Sequence, residues 1–175
     1  MAPGKLFITL FCALAVLAGA QVRAEETSKI VIDESKRILT LYENDKVVKQ
    51  YPVGLGRKGY PTPEGTFFVF HKVINPGWEQ PYLKPGQLRI APATAQNPLG
   101  TRWIGFKQNP TYEFGIHGTN DPKSIGKYST HGCVRMRIKD AEDLYDRVEI
   151  GTPVIISPQP ASVGGETHKI ISTRI

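Results

Sequence analysis

The chain has 175 residues, a formal net charge of +6, two cysteines and four histidines. Its basic residues are scattered, with no basic helix and no aromatic-interleaved platform, which argues against nucleic acid as a partner. The charge reads as a solvated surface with mild attraction to anionic polymers.

Lys5 is followed by an uncharged apolar run over 6–17 and then by small residues, the pattern of a secretory signal peptide. The run is too short to cross a bilayer. Val22-Arg23-Ala24 offers a small-x-small cleavage site after Ala24, with Ala18-Gly19-Ala20 as a second choice. Cys12 lies inside the run without the small residues that precede a lipid-anchoring cysteine. The mature chain is therefore expected to begin at Glu25, to be exported, and to carry no membrane span. Its 151 residues suit one domain over 25–157, with a tail over 158–175. Loss of Lys5 and Arg23 lowers the net charge from +6 to +4, and loss of Cys12 leaves Cys133 as the sole cysteine. Exported proteins keep cysteines in pairs, so a solitary thiol points to chemistry.

In chain order, KIVID, ILTLYE and KVVKQYPVGLG predict three strands of a β-meander, turning at 34–37 and at Asn44-Asp45. A Gly- and Pro-rich segment leads into a strand over 66–73. Residues 75–87, with three prolines, Trp78 and Tyr82, read as a loop, in which Trp78 either lines a groove or folds back on the core. LRIAPAT, TRWIGFK and YEFGIHG bring the strands to roughly seven. A helix is predicted over 139–148, with Ile138, Ala141, Leu144, Tyr145 and Val148 on its inner face. Asp140 is its expected N-cap, and Asp143 lies on its outer face. Gly151-Thr152-Pro153 ends that segment and PVIIS forms a last strand. The fold class is mainly β, a sandwich or barrel-like sheet of short mixed strands with one helix after Cys133.

Cys133 follows Gly132 at a turn, where a carbonyl substrate can approach main-chain N–H groups of an oxyanion site. A thiol is mostly protonated at neutral pH, so it needs an imidazole to take its proton or hold the thiolate. His117 ends a strand and has a fixed direction, which favours it over His131, two residues before the cysteine. In that strand Phe114 and Ile116 share one face, Gly115 and His117 the other. His131 could instead pack under the turn. Two other readings remain: His117, His131 and Cys133 as zinc ligands, although no fourth ligand suggests itself, or a purely structural cysteine. His71 and His168 read as incidental.

The segment His117-Gly118, a variable loop, then Thr130-His131-Gly132-Cys133-Val134-Arg135, resembles the catalytic signature of the L,D-transpeptidases (YkuD-type domain). PTPEGTF at 61–67 and NPGW at 75–78 extend the likeness. Thr130 stands where serine is commoner. The resemblance implies a mostly β fold and a reaction on peptidoglycan stem peptides. Cys133 would attack a stem carbonyl to form a thioester and expel D-alanine, with His117 as base and Gly118 holding it through its carbonyl. Backbone N–H groups around His131, Gly132 and Cys133 would bind the oxyanion. Arg135 would bind a substrate carboxylate, a role that suits its fork geometry; the alternative is a surface arginine paired with an acid. Thr130 and Trp78 are further substrate-binding candidates.

The expected activity is thus a cysteine-dependent transpeptidase with no metal or organic cofactor, a monomer placed in the periplasm or the wall. The acceptor amine would belong to another stem or to a wall-anchored lipoprotein. The alternatives are a carboxypeptidase or endopeptidase that hydrolyses the same thioester, and a non-catalytic wall-binding module.

Overall fold

The computed structural model describes residues 27–79, 88–110 and 112–157. The expected signal peptide, the tail over 158–175, Tyr82 and His168 lie outside them. Strands β1 (Ser28–Asp33), β2 (Ile38–Glu43) and β3 (Lys46–Pro52) form the predicted meander. The two-residue turn between β2 and β3 puts Asn44 and Asp45 at φ of 51° and 61°, a conformation these short polar side chains tolerate.

The strand predicted over 46–56 is two. After β3 the chain leaves the meander at Val53, and β4 (Leu55–Gly56) pairs in parallel with β11 (Tyr128–Thr130). The strand predicted over 66–73 also divides, into β5 (Gly65–Phe68) and β6 (His71–Ile74), which belong to different sheets. Val69 N–H donates to Thr152 O at 2.9 Å and Phe70 N–H to Gly105 O at 3.0 Å, so the chain changes partner within two residues. Composition marks β propensity there but carries no information about that exchange. Trp78 is on a strand and not in an irregular loop: β7 (Trp78–Glu79) pairs with β8 (Leu88–Ile90).

With β9 (Arg102–Gln108), β10 (Glu113–His117), β12 (Val134–Arg135) and β13 (Pro153–Ser157), the described residues hold thirteen strands where sequence pattern predicts about seven. A five-stranded sheet runs β3-β2-β1-β13-β5 and a four-stranded sheet runs β12-β10-β9-β6. Ile30, Ile32, Leu39 and Leu41 from the first and Ile104, Phe106, Ile116 and Val134 from the second are buried in one apolar core. Each such side chain contributes about 1.5–3 kcal/mol by leaving water.

Helix α1 (Ile138–Arg147) packs on β9 and β10, burying Ala141 and Leu144, with Val148 buried just beyond its end. It starts one residue earlier than predicted, because Ala141 N–H already reaches Arg137 O at 2.9 Å. Arg137, not Asp140, is the N-cap, and it makes no side-chain cap bond. Asp140 sits in the first turn, 3.7 Å from the Arg137 guanidinium. Asp143 does not simply face water: it accepts from Tyr51 Oη at 2.7 Å and Lys49 Nζ at 2.9 Å, which ties the helix to β3.

Candidate active site

β10 and β12 run in parallel as neighbours, with Ile116 opposite Val134 and His117 opposite Arg135. Side chains alternate along strands, so Ile116 and Val134 enter the core while His117, Arg135 and Cys133, the residue before β12, turn to the other side. There they line one cleft of about 480 Å³. The loop between His117 and Cys133 brings the two strand ends together, but most of it lies away from the cleft. It forms a 3-10 helix (Pro122–Ser124) and β11, and only Thr130 and His131 from it reach the cleft wall. Tyr60, Trp78, Pro98 and Leu99 also line the cleft.

Cys133 is 7% exposed, with Sγ 3.5 Å from the Tyr112 hydroxyl and 3.9 Å from the Glu113 carbonyl oxygen. Burial pushes the thiol above its ordinary pKa and the Glu113 carboxylate adds to this, against the opposing pull of Tyr112, the Gly115 N–H and Arg135. His117 is 4% exposed, and its Nδ1–H donates to the Gly118 carbonyl oxygen at 2.5 Å, since a carbonyl can only accept. That leaves Nε2 as the ring's basic nitrogen. Burial lowers the His117 pKa to about 4, Arg135 adds to the fall, and the Gly118 bond opposes it. At neutral pH thiol and imidazole are therefore both uncharged. Such a pair is suited to proton transfer during attack and does not rest as a thiolate-imidazolium ion pair.

His131 is exposed at the rim instead of packing under the turn. Arg57 Nη2 lies 2.7 Å from its Nε2, and Tyr60 meets it edge to face. Desolvation and the two arginines, Arg57 and Arg135, lower its pKa. Among the described residues no three His, Cys, Asp or Glu side chains converge as metal ligands would, against the zinc reading.

The turn before Cys133 is held by Thr130, whose hydroxyl donates to Cys133 O at 2.7 Å and accepts from Gly132 N–H at 3.0 Å. The Gly132 N–H, expected at an oxyanion site, is thus engaged inside the turn, and the Cys133 N–H remains as a main-chain candidate. Thr130 likewise has its hydroxyl committed, although it reaches the cleft wall. Gly132 has φ +113°, and a Cβ there would stand 2.6 Å from Phe114 Cε1. Phe114 departs from strict alternation because a register shift falls between Phe114 and Gly115, so it lines the cleft. Arg135 has a buried Nε without a hydrogen-bond partner and forms no ion pair among the described residues, unlike a paired surface arginine.

Sequence pattern did not single out Trp103 and Glu113. The Trp103 ring stacks on His117 with centroids 5.6 Å apart at 20°, and its Nε1–H donates to Glu113 Oε1 at 2.6 Å. His71, read as incidental, lies 3.2 Å from the same oxygen. The clue, visible only once the pairing is known, is that Gly105 and Gly115 face each other across β9 and β10. Their missing side chains are the space that Glu113 and Trp103 occupy.

Residues 27–156 match the YkuD family, described as the L,D-transpeptidase catalytic domain. YkuD of Bacillus licheniformis is 35% identical over 130 residues, 74% of this chain and 66% of that protein. YbiS of Escherichia coli K12 is 32% identical over 149 residues, 78% of this chain but 47% of that protein, so the chain spans about half to two thirds of these relatives. In fold, an L,D-transpeptidase crystal structure from Mycobacterium tuberculosis superposes with a TM-score of 0.60 at 20% identity, covering 76% of this chain and 58% of that one. The mainly β fold, the histidine on β10 beside the cysteine that leads into its partner strand β12, and a family match over most of the length lead to one assignment: the chain belongs to the L,D-transpeptidase (YkuD) family.

Proposed function

We propose that this protein is an acyltransferase that acts on peptidoglycan tetrapeptide stems through a thioester on Cys133. The observation that carries this reading is the pairing of β10 with β12, which turns His117, Cys133 and Arg135 into one cleft. His117 Nε2 removes the thiol proton as Sγ attacks the carbonyl of the third stem residue. The C–N bond to the terminal D-alanine breaks, and the departing amine takes the proton from the imidazolium. An incoming amine, from another stem or from a wall-anchored lipoprotein, then attacks the thioester and Cys133 leaves as the thiol. The Cys133 N–H stabilises the oxyanion, and the Arg135 guanidinium, whose Nε lacks a hydrogen-bond partner among the described residues, binds a stem carboxylate. The sequence over 1–24 supports export before this reaction takes place.

Incubation with purified muropeptides, followed by mass spectrometry of the products, tests the assignment. Crosslinked or amine-exchanged products support transfer. Shortened stems alone would instead make the protein a hydrolase that uses the same thioester, and unchanged muropeptides would favour a wall-binding module.

A further inference from the structure

Trp103 stands directly opposite His117 in the β9–β10 pairing, and its indole lies nearly parallel to the imidazole. A stack of that kind covers one face of the ring and limits its rotation about the side-chain bonds. The indole is itself fixed. Trp103 is 9% exposed, and its N–H, which would be costly to bury unpaired, is satisfied by Glu113 Oε1 at 2.6 Å. Glu113 is held in turn by His71 at 3.2 Å. Two glycines make the arrangement possible: a Cβ at Gly115 would lie 2.5 Å from the indole, and one at Gly105 would overlap the Glu113 carboxylate.

The carboxylate also carries a cost, since its negative charge works against formation of the Cys133 thiolate. An acid with no function beside a nucleophilic thiol would only reduce its reactivity. Fixing the plate behind the base is a benefit that offsets this.

We propose that Trp103 and Glu113 are positioning residues for His117: the indole, anchored through its N–H to the Glu113 carboxylate, holds the imidazole in the orientation in which Nδ1–H meets the Gly118 carbonyl and Nε2 is presented as the base. This rests on the reading of His117 and Cys133 as a base and nucleophile pair. It does not depend on the identity of the stem substrate.

p-Nitrophenyl acetate tests it without any stem peptide. Sγ bonds to the acetyl carbon, His117 accepts the thiol proton and nitrophenolate departs in a burst of one acetyl per chain. Long-range proton–nitrogen NMR of the imidazole gives a second readout, in which the native ring shows a single Nδ1–H tautomer. Trp103→Leu and Glu113→Ala are expected to slow the burst about tenfold at pH 7 with its amplitude retained, and to average the His117 nitrogen signals. Glu113→Gln keeps an acceptor for the indole N–H and should remain within about threefold of the native rate. Native burst rates and native ring signals in folded Trp103→Leu and Glu113→Ala would overturn the proposal. If Trp103→Leu does not fold, Glu113→Ala decides by the same two readouts. A burst that survives in Cys133→Ala would show instead that the underlying base and nucleophile pair is wrong.

Discussion

The Nδ1 atom of His117 lies 2.5 Å from the carbonyl oxygen of Gly118, the next residue in the chain. A side chain bonded to its neighbour's carbonyl has one tautomer available, and burial keeps that ring neutral down to about pH 4. Below that value the base is protonated. Acylation of Cys133 should hold its rate as pH falls from 7 to about 5 and lose it through about 4, a limb measurable with the nitrophenyl ester. An acidic limb near the ordinary histidine value of about 6.5 would show that the imidazole is not buried as described.

The same shift affects folding. Between about pH 6.5 and 4 the unfolded chain binds a proton on His117 that the folded chain does not, so stability falls as the pH is lowered through this window. Glu34 acts in the opposite sense. It is 4% exposed, its Oε1 has no partner among the described residues, and burial, helped by Glu64, raises its pKa to about 7. Its folded form binds the extra proton, so its contribution is full below about pH 4.5 and is lost as pH rises through 7. Glu34→Gln should therefore raise the thermal midpoint at pH 8, by an amount equivalent to about 1–3 kcal/mol, and change it little at pH 4. Equal effects at both pH values would contradict this assignment.

Gly132→Ala should be severe. The residue sits at φ +113°, and the new methyl would meet the Phe114 ring at 2.6 Å and the Pro61 carbonyl at 3.1 Å. Strain of about 1–3 kcal/mol falls on the turn that aims Cys133. We expect an acylation rate reduced at least about tenfold in a chain that remains folded by circular dichroism.

Thr130→Val should cost about 1–3 kcal/mol, because it leaves the buried Gly132 N–H without an acceptor, while Thr130→Ser should be close to native. Chemical denaturation of the two variants distinguishes them.

Much of this site was legible in the sequence. The Gly-Cys turn, the solitary thiol and a strand ending in His117 suffice to nominate the pair, because each is a local pattern. The partner changes at Val69 and Phe70 were not legible, since β propensity does not say which sheet a strand joins. Nor was the engagement of the Gly132 N–H by Thr130, which depends on the path of three backbone residues. Trp103 and Glu113 escaped for a similar reason: ten residues apart, they meet only through the register of β9 and β10.

Acyl transfer through Cys133 is tested most directly by intact-protein mass spectrometry after a brief exposure to a tetrapeptide muropeptide. The wild-type protein should carry an adduct equal to the stem less D-alanine, mapped to Cys133 and released by hydroxylamine, with no adduct and no product from Cys133→Ala. Product formation by Cys133→Ala at the wild-type rate would contradict it.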